Sequence, residues 1–192
     1  MSAAQEDLLK DLKIITTMVE FVEAYLVGDL LFKPMPDLPG SPPLTPGNFL
    51  LRQHRLTALQ ERFLNTAQRQ SLAEAVAQFD EETRKRSQKF EAKANREMKN
   101  RTHQWRDYLK EMEEDFVPAF YKNQAETRAI IQTLVNRFED MPAAFDSGAL
   151  ELLAELDTQL RLRWRDGKFV WDEGWQPAYP QNKYWWLYGT FE

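Results

Sequence analysis

Seven side chains in this sequence could support acid–base or metal chemistry if the fold gathered them. Glu20 and Glu23 lie three residues apart, and Glu111 stands three before Glu114 and four before Asp115. Residues at those spacings share a helix face, so each group could present paired carboxylates. Carboxylates converging from two helices suit a hard, oxygen-seeking cation such as Mg²⁺. The two histidines, His54 and His103, are less promising. A bundle-type di-iron centre needs a glutamate three residues before histidine, and Leu51 and Asn100 occupy those positions. Cysteine is absent, which removes disulfides, thiolate metal ligands and cysteine nucleophiles. No nucleophile elbow and no glycine-rich nucleotide loop occurs.

Glu20, Glu23, Glu111 and Glu114 resemble, in general arrangement, the carboxylate-only Mg²⁺ sites of all-α nucleotide pyrophosphohydrolases. The motif of that family is not traceable in the chain. The resemblance implies a metal-dependent all-α hydrolase as an alternative reading. Glutamate pairs are common on solvated helix faces, so the preferred reading assigns no catalytic residue and no cofactor.

The second unusual group is aromatic. Residues 164–192 hold ten of the 24 aromatic side chains and five of the six tryptophans. Trp171, Trp175, Tyr184, Trp185, Trp186 and Tyr188 are the candidates for a partner surface, because Trp and Tyr concentrate in binding hot spots. They could also stack a planar ligand, which would make the protein a small-molecule-binding bundle. The simpler expectation is inward packing, since each large ring buries ~150–250 Å² and an exposed cluster of this size invites aggregation.

Charge argues against other partners. The net charge is −5, which disfavours nucleic acid and anionic lipid. The basic stretch from Arg84 to Arg101 is preceded by Asp80, Glu81 and Glu82 and interleaved with Glu91 and Glu97, and Glu82–Arg86 and Glu97–Arg101 have the favourable acid-before-base order. It reads as a solvated, salt-bridged helix. Glu6, Asp7, Lys10 and Asp11 interrupt any signal-like apolar segment, and Glu20, Glu23 and Asp29 break the best membrane-span candidate. A soluble, cytoplasmic protein is expected, with no membrane association.

The elements that would position these groups are mostly helices. Leu8, Leu12, Ile15, Val19, Val22 and Leu26 recur at steps of four and three, which predicts a helix over about 4–32. Residues 33–48 carry six of the ten prolines and predict a stiff connecting strap. The PxxP spacings Pro36–Pro39, Pro39–Pro42 and Pro43–Pro46 are weak signals for a recognition peptide. From Asn48 to Val117 there is neither glycine nor proline. A second helix runs through Phe49, Leu56, Leu59, Phe63 and Ala67. Ser71 with Glu74 forms a capping-box pattern, which predicts a third helix from Ser71 to about 114, ~66 Å long. Its apolar face is thin between Asp80 and Gln104, so it is expected to be poorly covered there, or to break near Asn100–Thr102. A fourth helix follows from about Phe116 to Met141 and ends at Pro142. A fifth is capped by Asp146 or Ser147 and runs through Leu150, Leu153 and Leu156.

From Thr158 the pattern changes to alternation. Asp166-Gly167 favours a two-residue hairpin turn, placing Trp164 opposite Phe169 and Leu162 opposite Trp171. The competing reading extends the fifth helix to Trp164. The fold class expected is therefore mainly α: an antiparallel bundle of four to five helices, one unusually long, with a short aromatic-rich C-terminal β-hairpin or extended tail. Residues 1–157 form the bundle and 158–192 an aromatic appendage packed on it. Function follows by elimination: a non-enzymatic adaptor, scaffold or regulatory subunit, working through a protein partner or as a homo-oligomer.

Overall fold

A computed structural model of the chain describes residues 2–35, 38–140 and 145–192. The fold is all-α with a small antiparallel β-pair near its C-terminus. The described helices are α1 (Ala3–Val27), α2 (Pro46–Phe63), α3 (Thr66–Lys85), α4 (Ser87–Glu114), α5 (Pro118–Arg137) and α6 (Ser147–Arg163). Strands β1 (Trp164–Phe169) and β2 (Tyr188–Phe191) follow, with 3-10 turns at Glu173–Ala178 and Trp185–Leu187 between them. The chain divides into two compact units, residues 1–97 and 98–192; α4 contributes to each.

In the first unit, α1 packs against both α2 and α3. Ser2 starts α1 by accepting the Gln5 amide at 3.3 Å, and the helix stops at Gly28, short of the expected residue 32. Leu8, Ile15 and Met18 of α1 are fully buried with Phe49 and Leu56 of α2. Phe79 of α3 stacks on Phe49 with centroids 3.8 Å apart and meets Phe90 edge-on at 5.8 Å. A carboxylate enters this core: Asp11 binds Arg55 at 2.7 Å and Arg52 at 3.2 Å.

Two expectations for the long helix are corrected here. The third helix begins at Thr66, where Asn65 and Gln68 form a reciprocal capping box; Ser71 lies inside it and donates to the Ala67 carbonyl. The interruption falls at Arg86 (φ −124°, ψ 41°), not at Asn100–Thr102, and Arg86 pairs there with Glu82 and Glu23. The thin middle of the apolar face is covered, because Lys93 and Glu97 are buried on it beside Phe90 and Ala94. Glu97 therefore serves the interior: it has no exposed surface and accepts hydrogen bonds from Thr45 and Gly47.

In the second unit, α5 starts at Pro118, where a missing N–H costs nothing. The expected end of that helix at Met141 and Pro142 lies outside the described residues. Asp146, one of the two residues expected there, stands at the N-cap position of α6. The helix then runs to Arg163, so the short hairpin across Asp166-Gly167 does not form. β1 pairs instead with β2, Trp164 opposite Phe191 and Arg165 opposite Thr190, with an irregularity between Asp166 and Phe169. Leu162, expected opposite Trp171, is 82% exposed on the helix. Gly189 permits the pairing: its φ is +148°, and a Cβ there would lie 2.1 Å from the Arg165 carbonyl oxygen.

Candidate functional site

The carboxylates considered for a metal are solvated. Glu20 and Glu23 are exposed on α1 in the first unit, and Glu23 pairs with Arg86. Glu111 and Glu114 are exposed on α4 in the second unit. Among the described residues no group of three or more His, Asp or Glu side chains is gathered as a metal ion requires. His54 is half-buried and His103 exposed.

The aromatic candidates turn inward. Trp171, Tyr184, Trp185, Trp186 and Tyr188 are buried, and Trp175 is half-buried. The polar atoms of Trp171 and Tyr188 find backbone partners, as burial of such rings favours, whereas the buried Trp186 indole N–H meets no acceptor. The Trp171 indole donates to the Lys122 carbonyl at 2.7 Å, and Tyr188 donates to the Tyr179 carbonyl at 2.6 Å. Tyr121 on α5 donates to the Trp186 carbonyl at 2.6 Å. The Arg128 guanidinium lies 4.0 Å over the Trp186 ring while binding both oxygens of Asp157 at 2.9 and 2.7 Å. Arg161 covers Trp185 at 3.8 Å. The outer faces of these two rings thus carry arginine, not an open stacking platform. Burial raises the Tyr184 phenol to about 12 and pushes Tyr121 well above its ordinary range.

The proline strap presents no extended recognition peptide in its described part. Lys33 and Leu44 exchange backbone hydrogen bonds, so the strap closes on itself. Pro39–Pro42 spans a turn in which Gly40 has φ +79°, incompatible with a polyproline helix. Leu44 and Thr45, inside Pro43–Pro46, have no exposed surface. Pro36 lies outside the described residues.

A cleft of about 230 Å³ in the second unit is lined by Lys99, Thr102, His103, Asp146, Gly148, Ala149 and Leu152. It is smaller than the ~300 Å³ at which ligand pockets usually begin. Its charges also satisfy each other: Lys99 binds Asp146 at 2.9 Å and holds that carboxyl below its ordinary range, and Thr102 donates to the Met98 carbonyl. The sequence held Asp146 as a cap and Lys99 as a solvated base. Nothing in their spacing announced that they would meet.

Among the described residues, four large apolar side chains remain exposed. Val27 and Leu30 are 60% and 61% exposed in the first unit, and Phe120 and Leu162 are 64% and 82% exposed in the second. None of the four stood out in the sequence as exposed: Leu30 and Phe120 fit a helical apolar pattern, and Leu162 was read in the alternating one, opposite Trp171. Among the described residues no helix is long and apolar enough to cross a membrane. Comparison with protein families, with curated proteins and with solved structures gives no match.

Proposed function

We propose that this chain is a non-enzymatic helical interaction protein, an adaptor, scaffold or regulatory subunit that works through protein–protein contacts. The observation that carries the reading is the exposure of Phe120 and Leu162 on helices whose inward faces are already filled. Large apolar side chains in water are a standing cost of roughly 1.5–3 kcal/mol each, recovered when a second surface covers them. Leu162 is flanked by Arg161 and Arg163, which stack on Trp185 and Phe191. The flanking cations are thereby held in place around an apolar centre, the arrangement of a small contact patch with a polar rim. The solvated carboxylates and the arginine-covered tryptophans favour neither hydrolysis nor ligand stacking.

Sedimentation velocity over a wide concentration range, together with chemical cross-linking in cell extract, tests the reading. The native chain is expected to self-associate or to be cross-linked to one defined partner. A Phe120→Glu, Leu162→Glu double variant should lose that association while keeping its circular dichroism spectrum. A native chain that stays monomeric at all concentrations and cross-links to nothing defined overturns the proposal.

A further inference from the structure

The connection between α1 and α2 is held at both ends by two charged side chains one turn apart on α4. Lys93 donates to the carbonyls of Gly28 and Leu30 at 2.8 and 2.7 Å, and its ammonium stands 4.3 Å from the Tyr25 ring centroid. Glu97 has no exposed surface; it accepts the Thr45 hydroxyl at 2.6 Å and the Gly47 amide at 2.7 Å. Between these anchors, Lys33 and Leu44 exchange backbone hydrogen bonds of 3.2 and 2.8 Å. Leu44 and Met35 are the buried apolar members of the connection.

Apolar side chains at 93 and 97 would continue the face begun by Phe90 and Ala94, and would hold a connection equally well. Buried charges behave differently. They are tolerated only while their protons and lone pairs are matched, and the partners just named lie on the connection or in the helical turn at either end of it. If the connection undocks, ammonium and carboxylate regain water, which offsets the hydrogen bonds they lose. Exposed leucines in the same places would gain nothing. The charged pair therefore lowers the cost of a local opening without weakening the closed geometry.

We propose that Lys93 and Glu97 form a latch, and that the connection, residues 28–35 and 38–45, opens and closes as a unit while α1 and α3 stay folded. Thr45 is where the latch acts. Its hydroxyl donates to Glu97 and accepts the Asn48 amide at 3.0 Å, so one contact closes the connection and caps α2.

Native-state hydrogen exchange on the full chain in rising, sub-denaturing urea tests the latch. The amides of Lys33, Leu44 and Asn48 are expected to exchange at a common rate, at least ~tenfold above Leu12, Ile15 and Val19 of α1, with little dependence on urea. Glu97→Gln and Thr45→Val should each raise that rate about tenfold and leave α1 unchanged. The double variant should add little to the larger single effect, because both changes act on one contact. Exchange of Lys33 and Leu44 at the rate and urea dependence of α1 overturns the proposal. So does a change below about twofold in both variants. If neither variant folds, the native comparison between the connection and α1 decides alone.

Discussion

Asp11 occupies the α1 stripe that also carries Leu8, Leu12 and Ile15, and it is 5% exposed. Two guanidiniums from α2 meet it there: Arg55 at 2.7 Å, and Arg52, which also donates to the Asn48 carbonyl at 3.0 Å. A carboxylate in such a place is tolerated because cations answer it, and removing it strands them in the core. Asp11→Ala is therefore expected to cost about 3–5 kcal/mol, far more than its loss of volume. The cost should appear in urea unfolding as a lower midpoint with an unchanged slope. A loss below about 1 kcal/mol would mean that water already reaches the cluster. None of this was legible in the sequence. There Asp11 registers as a charge that interrupts an apolar signal segment, and Arg52 and Arg55 lie some forty residues away. Glu97 escaped in the same way, since its spacing to Arg101 suggests a surface residue while it is buried and binds Thr45 and Gly47, far away in sequence.

At the scale of elements the helices were legible, and their junctions were less so. Periodicity located the helical stretches, because an amphipathic face records its own burial, but it ran α3 and α4 together across the break at Arg86. The start of α3 was misplaced at Ser71 for a specific reason: Ser71–Glu74 satisfies the capping-box spacing, but so does Asn65–Gln68 within the polar corner before it. The choice is made by Leu64, which is buried with extended backbone (φ −107°, ψ 137°) and ends α2 immediately before Asn65. Asn65 and Gln68 then exchange side chain and amide at 2.9 Å in each direction, while Glu74 accepts from Gln70. Two alanine variants separate the alternatives. Asn65→Ala should lower stability by about 1 kcal/mol through loss of the cap. Ser71→Ala should leave it unchanged or raise it by up to ~0.5 kcal/mol, because alanine is the better residue inside a helix. Thermal unfolding of both under one condition checks the pair, and the reverse order would place the start of α3 at Ser71. A C-terminal β-pair forms, but the tight turn expected at Asp166-Gly167 failed for a related reason. The turn preference of Asp166-Gly167 is local, and it lost to a β2 partner some twenty residues on that admits only Gly189 opposite Asp166.

Over the whole molecule, composition was a good guide to fold class and a poor one to function. Aromatic density marked the C-terminal segment as distinctive, and size and hydrophobicity favoured burial. What the sequence could not encode in readable form is that Arg128 and Arg161 would cover the rings. That burial has a measurable consequence in alkali. The chain has six tyrosines, and desolvation raises Tyr25, Tyr108, Tyr121, Tyr184 and Tyr188, with Tyr108 and Tyr184 reaching about 12. A phenol whose folded value exceeds its unfolded value of about 10 holds its proton more tightly in the native state. Its contribution to stability is fully present below pH ~10 and is lost as the pH rises toward 12. The sign is therefore destabilising across that window, and five tyrosines in both units push the same way. Tyrosinate absorbance and far-ultraviolet circular dichroism, followed together against pH, should change in one coincident, cooperative step above pH ~10. Five phenols ionising near their ordinary value while the helical signal persists would show that water reaches these rings in the native state, and the inward packing of the aromatic segment would fall with them.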